Sequence, residues 1–144
     1  MRYLGLDYGS RTVGCAITDE LGITVQNLET IQRKEEKKLR QTLARIKEIV
    51  EIYDVGTIVL GLPLNMNGEA GERAERTLAF KELLEKRVDV PIYLINEQLT
   101  TVEAEAVLEE SGIPKKDRKK YIDQIAANII LTDFLRNEDK KTVT

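Results

Sequence analysis

The chain has 144 residues, 42% hydrophobic and 33% charged, with a net charge of −3, one cysteine and no histidine. This describes a single globular domain with a core of its own, and it excludes an internal disulfide, a Ser-His or Cys-His nucleophilic pair and an ordinary zinc site. No apolar run approaches a membrane span and no signal-peptide pattern opens the chain, so a cytoplasmic protein with no membrane partner is expected.

The first predicted strand is apolar through Leu4 and Leu6, reaches a carboxylate at Asp7 and breaks at Gly9. Val13, Cys15 and Ile17 alternate with Gly14, Ala16 and Thr18, giving a second strand joined to the first by a tight connection. Asp19 to Gly22 marks a turn, and a third strand of edge character is expected from Ile23 to about Ile31. The period then changes. Leu39, Leu43, Ile46 and Val50 stand at helical spacing in a stretch that opens at Arg33 and closes near Tyr53. The compact run Val55 to Leu60 reads as a buried central strand.

Residues 61–71 are loop by their Gly, Pro and Asn content, in the position where open α/β sheets bind ligands. A helix with Ala74, Leu78, Leu83 and Leu84 follows, then a strand over 91–96 with Glu97 just beyond it. Thr100 and Glu103 form a capping box for a short helix closed at Ser111-Gly112. The last helix runs from about Asp117 to Leu135, with Ile122, Ile125, Ala126, Ile129 and Phe134 as its apolar stripe. Residues 1–137 make one domain, and 138–144 read as a frayed tail. A three-strand meander followed by helical crossovers predicts a mixed five-stranded sheet with helices on both faces, in which the first strand pairs in parallel with the fourth. This is the layout of the ribonuclease H-like fold.

Strands in such a sheet lie about 4.8 Å apart, so acids at their carboxyl ends can converge. Asp7 and Glu97 occupy such ends. Asp123 joins them from the last helix, beside Ala126 and Ala127, whose small side chains let that helix approach the sheet. Singly, each acid also reads as an ordinary turn, loop or helix-start residue. Together they make an oxygen-only donor set for Mg²⁺ or Mn²⁺. Paired cations about 4 Å apart can activate water for in-line attack on a phosphodiester with no histidine.

Phosphate-binding candidates are Arg11 in the Asp7 loop, the amides around Asn65, Asn67 and Gly68, and the cations Lys115, Lys116, Arg118, Lys119 and Lys120 leading into the Asp123 helix. A second basic group, Arg33, Lys34, Lys37, Lys38 and Arg40, reads as a solvated helix face.

Asp7-Tyr8-Gly9 with Arg11 and Gly14, the loop Gly61 to Gly68, Glu97-Gln98-Leu99-Thr100-Thr101, and Asp123 with Ala126-Ala127 together resemble the YqgF-type (RuvX-like) family over essentially the whole chain. That family is described both as Holliday junction resolvases and as pre-16S rRNA nucleases. The resemblance implies that Asp7, Glu97 and Asp123 are the catalytic, metal-holding set of a nuclease that trims the 5′ end of precursor small-subunit RNA in ribosome biogenesis. It further implies structured RNA and pre-ribosomal particles as partners, for a monomer or a homodimer. Asn96 and Gln98 stand where the family pattern has an aspartate and an arginine.

Three other readings remain open. One keeps the chemistry and makes branched DNA the substrate, another is a nucleic-acid or ribosome-binding module that does not cleave, and the last is a nucleotide hydrolase of the actin-like kinase type. The last would need a second such domain.

Overall fold

In the computed structural model, which describes residues 1–64, 71–97, 106, 109–136 and 141–143, one mixed sheet carries the chain. Its strands are β1 (Arg2–Tyr8), β2 (Thr12–Thr18), β3 (Val25–Gln32), β4 (Val55–Pro63), β5 (Ile92–Glu97) and β6 (Lys141–Val143), in the order β3-β2-β1-β4-β5-β6. The meander β1–β2–β3 is antiparallel, and β1 pairs with β4, and β4 with β5, in parallel. The ribonuclease H-like arrangement expected of the sequence is therefore present, with one strand added. β6 pairs antiparallel with β5 where the sequence suggested a frayed tail. An open β5 edge offers unused backbone donors and acceptors, which a short strand of any composition can satisfy.

The alternation of β1 sorts the two layers. Leu4, Leu6 and Tyr8 face one side, where they pack with Ile58, Leu60 and Leu94 beneath α1 (Arg40–Ile52) and α2 (Glu72–Glu85). On the other side Ala16, Val59 and Ile95 pack against Ala127, Ile130, Leu131 and Phe134 of α3 (Lys115–Arg136). Cys15 lies buried in the first layer, where desolvation pushes its thiol pKa far up, so it is an inert core residue.

Several boundaries differ from the sequence reading. β3 starts at Val25 because the Asp19 carboxylate accepts the Ile23 amide at 2.8 Å and keeps that stretch in its turn. The α1 helix begins only at Arg40, so the cations from Arg33 to Lys38 lie on irregular chain ahead of it. The β4 strand runs on to Pro63, three residues into the stretch read as loop, because Gly61, Leu62 and Pro63 pair with Ile95, Asn96 and Glu97 of β5. The expected short helix after Thr100 falls largely outside the described residues. Among the described residues no helix is long and apolar enough to cross a membrane.

Candidate active site

Asp7 is paired with Gly14 across the β1–β2 ladder, and the strand's alternation turns its side chain away from Leu6 and Tyr8, toward α3. That helix sits unusually low on the sheet. A Cβ at Gly5 would come within 2.9 Å of the Leu131 Cβ and 3.0 Å of the Ala127 carbonyl oxygen, and one at Gly14 would overlap the Asp123 backbone. Glycine at these two positions admits the helix backbone itself. Side-chain bonds fix its rotation, with Gln124 donating to Thr30 at 3.2 Å and Asn128 donating to Asn27 at 3.0 Å.

Asp123 is thereby set beside Asp7. The pKa of Asp7 is raised to about 6, first by burial and next by the negative charge of Asp123, against a smaller lowering from Arg73. An oxygen-only pair of carboxylates held together with little opposing charge has the chemistry that suits a hard divalent ion.

Glu97 is the last residue of β5, opposite Pro63 of β4, and its carbonyl accepts the Leu64 amide at 3.1 Å. The alternation that sends Ile95 to the α3 layer sends Glu97 there also, and one of its carboxylate oxygens is buried. It lies two strands from Asp7 and about two residues further along, roughly 11 to 12 Å between Cα atoms by sheet spacing. Among the described residues no three acidic or sulfur side chains are gathered into a ready metal-holding group. The fold thus brings Asp7 and Asp123 together and leaves Glu97 on the same face and edge, two strands away with β4 between.

The other candidates scatter. Arg11 is exposed in the β1–β2 turn, its carbonyl accepting the Arg33 amide at 2.8 Å. Lys115, Lys116, Arg118, Lys119 and Lys120 form the first turns of α3, with side chains outside the described residues, as are Asn65, Asn67 and Gly68 altogether.

Two residues that the sequence reading passed over stand at the site. Arg73 and Arg76, in the first turns of α2, line a cleft of about 260 Å³ with Tyr8, Gly9, Ser10 and Glu36. Arg76 pairs with Glu36 at 3.3 Å and with Glu72. The charge of Arg73 reaches Asp7. Behind them Tyr8 stacks on Phe80 at 4.3 Å, while the Arg33 guanidinium lies 4.9 Å from the Tyr8 ring centre and donates to the Gly9 carbonyl at 2.6 Å. A signal was available in that α2 starts directly after the loop at the carboxyl end of β4.

A family model described as RuvX, Holliday junction resolvase, matches residues 1–137. A protein of Lachnospira eligens with the provisional name pre-16S rRNA nuclease is 51% identical over 140 residues, covering 97% of this chain and 100% of its own. One of Agathobacter rectalis with the same provisional name is 50% identical over 135 residues, covering 94% of each. Among solved structures, T. thermophilus RuvC bound to a Holliday junction substrate superposes with a TM-score of 0.60 at 16% identity over the whole of both chains. Fowlpox virus resolvase with Holliday junction DNA does so with 0.56 at 10% identity, covering 94% of this chain and 99% of its own. At such identities the likeness is one of fold.

Proposed function

This chain belongs to the RuvX, Holliday junction resolvase, family, and on that premise we propose that it is a divalent-metal-dependent nuclease that processes the 5′ end of precursor 16S rRNA in the cytoplasm. The carrying observation is the pairing of Asp7 with Asp123 on the sheet face that also carries Glu97. RNA is favoured over branched DNA because the relatives that share half of this sequence over nearly its full length carry the rRNA name, whereas the junction-bound structures share 10 to 16%.

Asp7, Asp123 and Glu97 would hold Mg²⁺ or Mn²⁺, which when bound supplies a nucleophile from water and neutralises charge at the phosphoryl group. The chain's own part is positional. β1 and α3 hold two carboxylates at one point, and the buried surroundings of Asp7 make cation binding there favourable by relieving like-charge repulsion. Glu97 would contribute from the β5 end of the same face.

Incubating the protein with a precursor 16S RNA fragment and Mg²⁺ or Mn²⁺ tests this. Cleavage by the wild type that is lost in Asp7→Asn supports it, and equal cleavage by both sinks it. A second reading, resolution of a four-way DNA junction, is kept by the family description itself. It needs two symmetric sites, hence a dimer that cuts junctions at paired positions.

A further inference from the structure

The net charge of −3 hides a local surplus. Between Arg33 and Arg40 stand five cations and two acids, on irregular chain that borders a groove of about 610 Å³ lined by Lys34, Lys37 and Lys38. Among the described residues only Lys38 of these three forms an ion pair, an exposed one with Glu35 at 3.6 Å. Arg33 stands between this groove and the cleft at the Asp7 turn. It borders the groove and, from the same position, grips the Gly9 carbonyl at 2.6 Å and covers the Tyr8 ring.

Within the cleft the two α2 arginines differ. Arg76 is neutralised by Glu36 and Glu72, whereas Arg73 has no ion pair among the described residues and lies exposed between the Asp7 turn and the helix. A guanidinium without an ion pair among the described residues, near a carboxylate pair suited to a divalent cation, fits an anion that reaches both once a cation is held there.

We propose that the cleft and the groove are one track for the phosphodiester backbone of the substrate strand, with Arg73 binding a phosphate next to the reacting one and Lys34, Lys37 and Lys38 holding phosphates further along. The track rests on the nuclease reading for its direction toward Asp7. Its cations lie on the α1–α2 side of the site, not on the Lys115 to Lys120 segment.

Binding of a short mixed-sequence RNA strand, followed by fluorescence anisotropy without divalent metal over a range of salt, tests it. Arg73→Ala is expected to weaken binding about tenfold and to reduce the slope of log affinity against log salt by about 0.7. The triple variant Lys34→Ala, Lys37→Ala, Lys38→Ala should reduce that slope by about 2. Arg73→Lys should recover part of the loss. Lys86→Ala with Arg87→Ala, at the far end of α2, should bind as the wild type, and all variants should melt as it does.

Unchanged affinity and slope in both the Arg73 and the lysine variants overturn the track, even when the wild type cleaves RNA with metal. No RNA binding by the wild type overturns it as well. If the wild type fails to cleave yet its binding depends on these residues, the track stands and the nuclease reading falls.

Discussion

The backbone carbonyl of Asp123 occupies the space into which any side chain at Gly14 would project, and Gly14 is the cross-strand partner of Asp7. One carboxylate of the site therefore reaches its place because the residue opposite the other has no side chain. Gly14→Ala should push α3 off the sheet at a cost of about 1 to 3 kcal/mol or more, and move Asp123 away from Asp7. Urea titration reads the first effect, and carboxyl-carbon NMR titration the second, as a fall in the Asp7 pKa. An unperturbed Asp7 titration would show that the glycine does not set the spacing.

The pH dependence of stability follows from the same pair. Asp7 keeps its proton in the fold up to about 6, against 3.8 as its ordinary value. Between those values the folded state binds a proton that the unfolded chain has lost, so stability falls as pH rises through the window, by about 3 kcal/mol at most. Metal-free Asp7→Asn should accordingly melt above the wild type near neutral pH, and the gap should close toward about pH 4. Thermal melts in chelator check this. A variant less stable than the wild type at neutral pH would show that Asp7 is not held at a cost.

Catalysis and binding should separate at Asp7. With the carboxylate removed, cleavage should drop by about a hundredfold or more, while affinity for RNA without metal stays close to that of the wild type. Glu97→Gln should act chiefly through the metal, raising the Mg²⁺ concentration needed for half-maximal rate, since Glu97 stands two strands from Asp7. Metal titration of initial rates measures it, and an unchanged requirement would place Glu97 outside the site.

Phe80 supports the opposite wall. It is 1% exposed and stacks on Tyr8, the residue after Asp7. Phe80→Ala should cost about 3 to 5 kcal/mol, read by urea titration, with Phe80→Leu losing much less. If both are near neutral, the stack is not what holds Tyr8 and Arg33 in the cleft.

Local periodicity carried much of this protein. Period-two alternation in β1 and β2 and the apolar run of β4 marked the strands, helical spacing marked α1 and α3, and the ribonuclease H-like layout followed from their order. Asp7, Glu97 and Asp123 were legible as acids at strand ends and on a helix flanked by alanines, and the glycines around Asp7 already signalled a close approach. The α2 helix was legible through its run of residues, but its core face was not: Ala74, Thr77, Phe80 and Leu84 are buried there, whereas Leu78 and Leu83 are more than a third exposed, a choice made by packing on the sheet. β6 was missed because a three-residue edge strand is selected by the open ladder beside it, not by its own composition.

The chain's own order of residues was sufficient for strand and helix type, and its composition for the absence of histidine from any site, since both depend on neighbours in sequence or on composition. Which side chains meet was decided by tertiary structure. The descent of α3 onto Gly5 and Gly14 couples Asp123 to Asp7, the strand order leaves Glu97 two strands away, and the placing of α2 brings Arg73 to the Asp7 turn. These are distances between segments tens of residues apart, and they are fixed by packing and sheet register, to which no local pattern has access.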